Sequence, residues 1–326
     1  MSAHGLGPGS AGAPAGPGTD QGPGPGLLGL YAQHLSAPEP QPYAGPEQRH
    51  AAQLRAAEKF SQADAVVVGI GSGMSSSCGY DYYHRTPAFD GLLARFERAH
   101  GFSTLMDGFY HLFATNEERW AFYAALSHLA ESAPVGDAYR TLARLLAGRA
   151  HAVITTNIDT QARRAFAPER TWLFQGDLGF LQCSQPCCDR VVPAGPVLEP
   201  IRAALQEQGS QAVTVPADLL PRCPECGWLM APWVRDDGFL EGAAWQHAGT
   251  RYQDFVLSVL KECRHVVFLE LGVGGMTPAI IELPFYLRIN KGKASEPRQL
   301  AGRSLTVCAD ISETLDVMAA ALGRAD

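Results

Sequence analysis

Two short-spaced cysteine pairs, Cys183-x3-Cys187 and Cys223-x2-Cys226, carry the most specific chemistry in the sequence. Pro224 and Gly227 give the second pair the turn chemistry of a metal knuckle. Two thiol pairs at these spacings fit a tetrahedral four-thiolate zinc site, and such a closed set keeps no open position for catalysis. Residues 188–222 separate the pairs, more than the usual gap of about 15–20. An inserted element is therefore expected, and EPIRAALQEQG reads as a helix. Cys188 stands beside Cys187 as an alternative ligand. Cys78, Cys263 and Cys308 read as buried small side chains.

A second set of residues lies just past apolar runs. AVITT leads into Asn157-Ile158-Asp159, and the run from Thr171 to Phe174 leads into Gln175-Gly176-Asp177. Ligands of open α/β sheets bind outside the carboxyl ends of the strands, so both polar clusters are expected at one cleft. AVVVGI runs into Gly69, Gly71 and Gly73, with Ser72 and Ser75 close behind, and VVFLEL runs into Gly272-Val273-Gly274. Closely spaced glycines let backbone amides approach a phosphate, and hydroxyls add donors. The G-x-G-x-G spacing is not the six-residue dinucleotide fingerprint. Glu270 reads either as an orienting group or as a locally paired carboxylate. Arg235 and Asp236 read as a solvated loop rather than an acceptor face.

These residues need strands and helices to position them. Helical patterns run through Pro46–Asp64, 88–99, 116–130, Asp137–Gly148 with Asp137 as N-cap, His247–Glu262 and Ile311–Gly323. LTVCAD (305–310) reads as a last strand, and a helix is expected to start near Thr277-Pro278. Strands alternating with helices predict an α/β fold: a Rossmann-like parallel sheet with helices on both faces, a smaller zinc-binding module and a helical insertion. The expected organisation is a disordered Gly/Pro-rich segment at 1–45 in which Leu27–Leu35 forms a short helix, then a Rossmann-like domain from 46–182 and 230–326. Residues 80–131 would be its aromatic-rich insertion over the glycine loop, and 183–229 the zinc module.

Composition bounds the function. The chain has 326 residues, 46% of them hydrophobic, and a net charge of -7, which argues against a nucleic-acid binder with its basic face. No apolar run reaches the length of about 18 residues that a membrane helix needs, and the N-terminus lacks the regions of a signal peptide. The expected setting is cytoplasmic, with eight cysteines serving as metal ligands or thiols rather than disulfides.

In this order the pieces resemble the sirtuin family. Gly69-Ile70-Gly71-Ser72-Gly73-Met74-Ser75 is similar to its first NAD-binding loop, and Thr156-Asn157-Ile158-Asp159 to its T-Q-N-I-D signature, with Thr156 where Gln is usual. The cysteine pairs match its zinc module, and Gly272-Val273-Gly274 stands at its G-T-S loop. The resemblance implies NAD contacts from Gly69, Gly71, Ser72, Gly73, Ser75, Thr156, Gly272, Val273 and Gly274. It implies structural zinc on Cys183, Cys187, Cys223 and Cys226. It also implies that Asp159 holds the nicotinamide carboxamide and Asn157 the ribose or the nucleophile.

Two departures shape the reading. Deacylating sirtuins carry a His-Gly where this chain has Gln175-Gly176, and a carboxamide has no pKa near neutrality with which to act as base. Their apolar acyl-peptide loop is here Val234-Arg235-Asp236-Asp237. Both features, with F-Q-G-D and L-E-L-G-V-G, resemble the class M sirtuins, associated with protein ADP-ribosylation, in some cases of lipoyl-carrier proteins. The resemblance therefore implies an NAD-dependent ADP-ribosyltransferase acting on a protein acceptor, with Gln175 binding the ribose hydroxyls. NAD hydrolysis and a silent NAD or ADP-ribose sensor are the alternatives, and lysine deacylation is the least favoured.

Overall fold

A computed structural model describes residues 45–273, 285–291 and 302–324. The expected disorder of 1–45 and the Leu27–Leu35 helix therefore fall outside the described residues, apart from Gly45, as do Gly274 and the helix expected near Thr277. Six strands form one parallel sheet: β1 (Ala65–Ile70), β2 (Ala150–Thr155), β3 (Thr171–Leu173), β7 (Val266–Leu271), β8 (Phe285–Ile289) and β9 (Ser304–Val307). Their order is β3-β2-β1-β7-β8-β9, every pair parallel. β1 and β7 are buried along their full length. Their apolar runs lack a polar alternation because helices cover both faces. One face packs on α1 (Pro46–Ser61), α7 (Asp137–Leu146) and α11 (Ile311–Ala321) through Phe60, Leu142 and Leu315. The other packs on α10 (Ala243–Glu262) through Trp172, Tyr252 and Val259. The strand order reverses between β1 and β7, which makes the crevice at their carboxyl ends the expected ligand site.

A second core joins the helical insertion to a small sheet. Strands β4 (Gly176–Cys183), β5 (Val191–Pro193) and β6 (Met230–Val234) pair antiparallel in the order β5-β4-β6. Leu178, Leu181 and Val234 of this sheet pack with Trp120, Phe122 and Leu126 of α6 (Asn116–Ser132) and with Leu198 and Ile201 of α9 (Ala194–Gln208). α9 is the helix expected between the cysteine pairs. A capping box starts α6: Thr115 accepts from the Glu118 amide, and the Glu118 carboxylate accepts from the Thr115 amide.

Some local expectations change. Asp137 does not cap α7; Gly136 occupies that position, and the Asp137 carboxylate pairs with Arg140 one turn on. α10 begins four residues before His247, at Ala243, because Asp189 of the zinc module supplies its cap: the Ala243 amide donates to Asp189 Oδ2 at 2.9 Å. Cys78, Cys263 and Cys308 are half-buried rather than enclosed. Between α3 (Pro87–Leu92), α4 (Ala94–His100) and α5 (Leu105–Phe109) the insertion is short helices and turns.

Candidate active site

The two glycine turns meet backbone to backbone at the reversal point. α2 (Ser72–Ser76) starts directly after Gly71. The Gly71 amide donates to Leu271 O (2.9 Å) and the Gly73 amide to Gly272 O (3.0 Å). A Cβ on Gly71 or on Gly73 would come within 2.7 Å of backbone atoms of Gly272 or Val273, so no larger residue fits either position. Gly272 itself has φ +63°, the left-handed region that glycine enters without strain. Val273 is fixed through its carbonyl, which accepts from Arg288 Nη2 (2.9 Å) and Asn290 Nδ2 (3.2 Å). Arg288 Nε also lies 3.1 Å from Glu270 Oε1, and the Tyr286 hydroxyl donates to Glu270 Oε2 at 2.8 Å. Glu270 is thus the locally paired carboxylate, and burial holds it above the ordinary carboxylate range against the pull of Arg288.

Asn157 lies at the centre of a buried polar network. Its Nδ2 lies 2.9 Å from Gly71 O, 2.9 Å from Ser75 Oγ and 3.0 Å from the Tyr139 hydroxyl. Its backbone amide donates to Thr155 Oγ1 at 3.0 Å, and its carboxamide oxygen has no hydrogen-bond partner among the described residues. Ser75 donates to Asp159 Oδ2 and also meets the Tyr139 hydroxyl at 3.1 Å. Asp159 Oδ1 accepts from the Gln161 amide. Asp159 is 3% exposed, and burial raises its carboxyl above the ordinary value despite the Ser75 hydroxyl. Burial likewise raises Tyr139 well above the ordinary phenol, with the nearby Asp159 adding to it. Tyr139 was not expected from the sequence. It sits on α7, a helix whose other inward residues are mostly apolar, and its one sequence signal is a hydroxyl on that face. Thr160, at φ +67°, is the single non-glycine with positive φ among the described residues. Its Oγ1 donates to Ala130 O at 2.9 Å, so a side-chain anchor offsets the strain.

Gln175 sits in the turn between β3 and β4, half-buried, and its carboxamide has no partner among the described residues. Gly176 follows at φ +80°, and a Cβ there would collide with the Trp233 carbonyl. Two residues on, Asp177 is 1% exposed. Its Oδ1 accepts from the Gly179 amide (2.7 Å) and from Arg163 Nε (3.3 Å). The Leu178 amide donates to Ile158 O at 2.8 Å. These bonds lock the Asn157–Asp159 loop to the Gln175 turn. Burial pushes Asp177 up to about 7, with Arg163 pulling the other way.

This shift has a measurable consequence. The unfolded chain releases the Asp177 proton near 3.8 and the folded chain near 7. Folded protein therefore binds the extra proton between these values, and stability from this group is lost as pH rises through that window. Asp177→Asn is expected to flatten the fall. Urea midpoints at about pH 4.5 and about pH 7.5 should lie closer together than in the parent chain.

Arg235 is not the solvated loop residue expected. Its guanidinium stacks within 4.5 Å of the Phe239 ring centroid, 4.9 Å of Phe174 and 5.2 Å of Trp245. It donates to Phe174 O and pairs with Glu241 at 2.7 Å. Its amide donates to Gln175 O at 3.0 Å, which puts the caged cation beside the glutamine turn. A cation among three aromatic faces is well held, and only the fold brings residues 174, 235, 239 and 245 together.

The four cysteines converge as expected. Their sulfurs lie within 4.8 Å of one another, with Cys183–Cys226 at 3.5 Å and Cys187–Cys223 at 3.6 Å. Cys187, not Cys188, completes the cluster. Four thiol sulfurs at these separations suit tetrahedral zinc. The module is also tied to the Arg235 loop. Gln182 donates from Nε2 to Gly238 O (2.5 Å) and accepts the Leu240 amide at Oε1 (2.8 Å), while Asp189 caps α10.

Ser72, Thr156, Gly69 and Val273 line the same strand ends; the Thr156 amide donates to Ile70 O at 3.1 Å. A small cavity of about 20 Å³ lies between Tyr80, Tyr82, Leu126 and Leu129 and is also lined by Asp159 and Gln161. A cavity of about 880 Å³ opens at the amino ends of β2 and β3 and touches none of these residues.

No protein-family model matches the chain. The "Protein ADP-ribosyltransferase" of Staphylococcus aureus is 29% identical over 273 residues, covering 78% of this chain and 82% of that protein. A "Probable bifunctional ADP-ribose hydrolase/ADP-ribosyltransferase" of Fusarium oxysporum f. sp. cubense is 29% identical over 237 residues, 70% of this chain but 38% of that longer protein. Among solved structures, "Sir2 bound to acetylated peptide" superposes with TM-score 0.52 at 19% identity, over 83% of this chain and 98% of that one. "Crystal structure of a Sir2 homolog-NAD complex" gives TM-score 0.51 at 18% identity, over 82% and 93%. No helix among the described residues is long and apolar enough to cross a membrane. The fold is that of the Sir2 enzymes, and the sequence is similar to the staphylococcal ADP-ribosyltransferase.

Proposed function

We propose that this chain cleaves the nicotinamide–ribose bond of NAD and transfers ADP-ribose to a protein acceptor. One observation carries the reading: the loop of the buried Asn157–Ser75–Asp159 network is bonded through Ile158 O to Leu178 of β4, and the residue that leads into β4 is Gln175, a carboxamide that cannot titrate. Both ADP-ribosyltransferase relatives agree with it. The diphosphate of NAD lies against the turns at Gly69, Gly71, Ser72, Gly73, Gly272 and Val273. Ser75 acts from behind, by holding Asn157 and Asp159. Asp159 faces the nicotinamide carboxamide at the small cavity under Tyr80 and Tyr82, which widens to admit the ring. Thr156 and the free carboxamide oxygen of Asn157 contact the ribose, and Gln175 takes its hydroxyls.

Loss of nicotinamide leaves an oxocarbenium-like ribose, whose positive charge the preorganised oxygens of Asn157 and Gln175 stabilise. No proton need be removed from the ribose or from an acceptor carboxylate, already a nucleophile at neutral pH. A glutamine suffices where a lysine deacylase would need a base. Arg235 stands beside Gln175 as the cation that meets the acceptor. Four thiols kept reduced and a cytoplasmic supply of NAD fit one compartment, and a lipoyl-carrier protein is the acceptor class to try first.

The test uses NAD labelled in the adenylate. Label should become protein-bound in the presence of an acceptor; free ADP-ribose alone would replace transfer with hydrolysis. NAD binding without nicotinamide release would leave a sensor. Arg235→Ala is expected to lower transfer to protein at least about tenfold while nicotinamide release to water stays within about threefold. An equal loss in both would remove Arg235 from the acceptor side.

A further inference from the structure

Besides the cavity at the amino ends of β2 and β3, the proposed reaction leaves a second and more apolar one unused. It measures about 620 Å³ and lies between the zinc module, the edge strand β3 and the start of α10. That volume falls within the usual range of about 300–1,000 Å³ for small-molecule sites, which are mostly apolar with a few polar groups. Here Trp172, Leu173, Phe180, Trp233, Leu240 and Trp245 make the apolar walls. The cavity shares Trp233 and Trp245 with the surroundings of Arg235, yet Arg235, Phe174 and Gln175 do not line it.

Its polar groups favour one ligand charge. Arg163 is engaged by Asp177 and Arg190 by Glu225. The carboxylate in the wall, Asp189, is already spent on the Ala243 amide. Arg251 lines the cavity with no ion pair among the described residues. An unpaired cation beside aromatic walls suits a ligand that carries negative charge and an apolar body.

We propose that this cavity is a regulatory site for a small apolar carboxylic acid. The hydrocarbon body lies on the indoles, and the carboxylate turns toward Arg251. Trp245 touches both compartments, so occupancy shifts the packing around Arg235 and with it the acceptor side of the reaction. The effect on transfer rests on the proposed function; the binding does not.

The test titrates octanoate into the zinc-loaded full chain and reads tryptophan fluorescence, since three of the five tryptophans line the cavity. Saturable binding below millimolar concentration is expected, with octanol about tenfold weaker for want of the charge. Arg251→Gln should weaken octanoate by a similar factor. Ala244→Phe, at an exposed α10 position lining the cavity, should abolish binding with zinc content and melting temperature unchanged. A non-saturating signal, equal affinity for octanol, or unchanged binding in both variants overturns the site. Octanoate should also change transfer to protein in the parent chain and not in Ala244→Phe; binding without that change overturns the regulatory role. If the transferase reading itself fails, label transfer is absent before octanoate is added, while the titration remains readable.

Discussion

Replacing Asn157 with alanine is expected to lower nicotinamide release from NAD by about 100–1,000-fold, the loss seen when one preorganised donor or acceptor is taken from a developing charge. The side chain does two things at once. Its amide nitrogen ties the Gly71 carbonyl, Ser75 and Tyr139 together, and its oxygen is free for the ribose of the proposed reaction. Alanine removes the oxygen and strands the Ser75 and Tyr139 hydroxyls in a buried site. Tyr139→Phe separates the two parts. It takes one hydroxyl from the network and leaves the Asn157 oxygen in place, so about tenfold is expected, expressed in kcat rather than in KM for NAD. Steady-state nicotinamide release by both variants, with melting temperatures alongside, decides the matter. Asn157→Ala at parent-chain activity would sink the assignment.

The contrast between Asn157 and Tyr139 shows what the sequence makes legible. Strand ends are legible because apolar β-formers stop abruptly at polar residues, and Asn157, Asp159, Gln175 and the glycine turns all follow such stops. The cysteine pairs are legible because metal geometry dictates their spacing. Tyr139 is hidden, since a tyrosine on the buried face of a helix looks like any other core aromatic until its hydroxyl is seen to meet Asn157. Arg235 is hidden for the opposite reason: beside two aspartates it looks like surface, and its three aromatic neighbours come from separate segments. The small antiparallel sheet escaped as well. β4 carries Gly176 and Gly179 and shifts register between Gly176 and Leu181, so its apolar residues never show the alternation that marks a strand.

Replacing Cys223 with serine is expected to have the larger structural effect, because it breaks a site whose folding contribution is comparable to the stability of a whole domain. Zinc binding to four thiolates supplies on the order of 10 kcal/mol in small modules, against a total of about 5–15 kcal/mol for a typical domain. The three-stranded sheet is short, so without the ion the 183–229 segment has little else to fix its two knuckles. The damage then travels along named bonds. Gln182 precedes the ligand Cys183 and holds Gly238 and Leu240, while Asp189 follows the Cys187–Cys188 turn and caps α10 at Ala243. Residues 235–246, which include Arg235, Phe239, Glu241 and Trp245, should gain amide exchange at least about tenfold, while β1 and β7 remain protected. Bound zinc should fall from one equivalent to none. Gln182→Ala with Asp189→Ala, leaving zinc in place, should reproduce the exchange at 235–246 alone. If Cys223→Ser loses zinc and that segment stays protected, the module is only a tether; if the double variant matches it, the zinc sets the position of Arg235 through those two side chains.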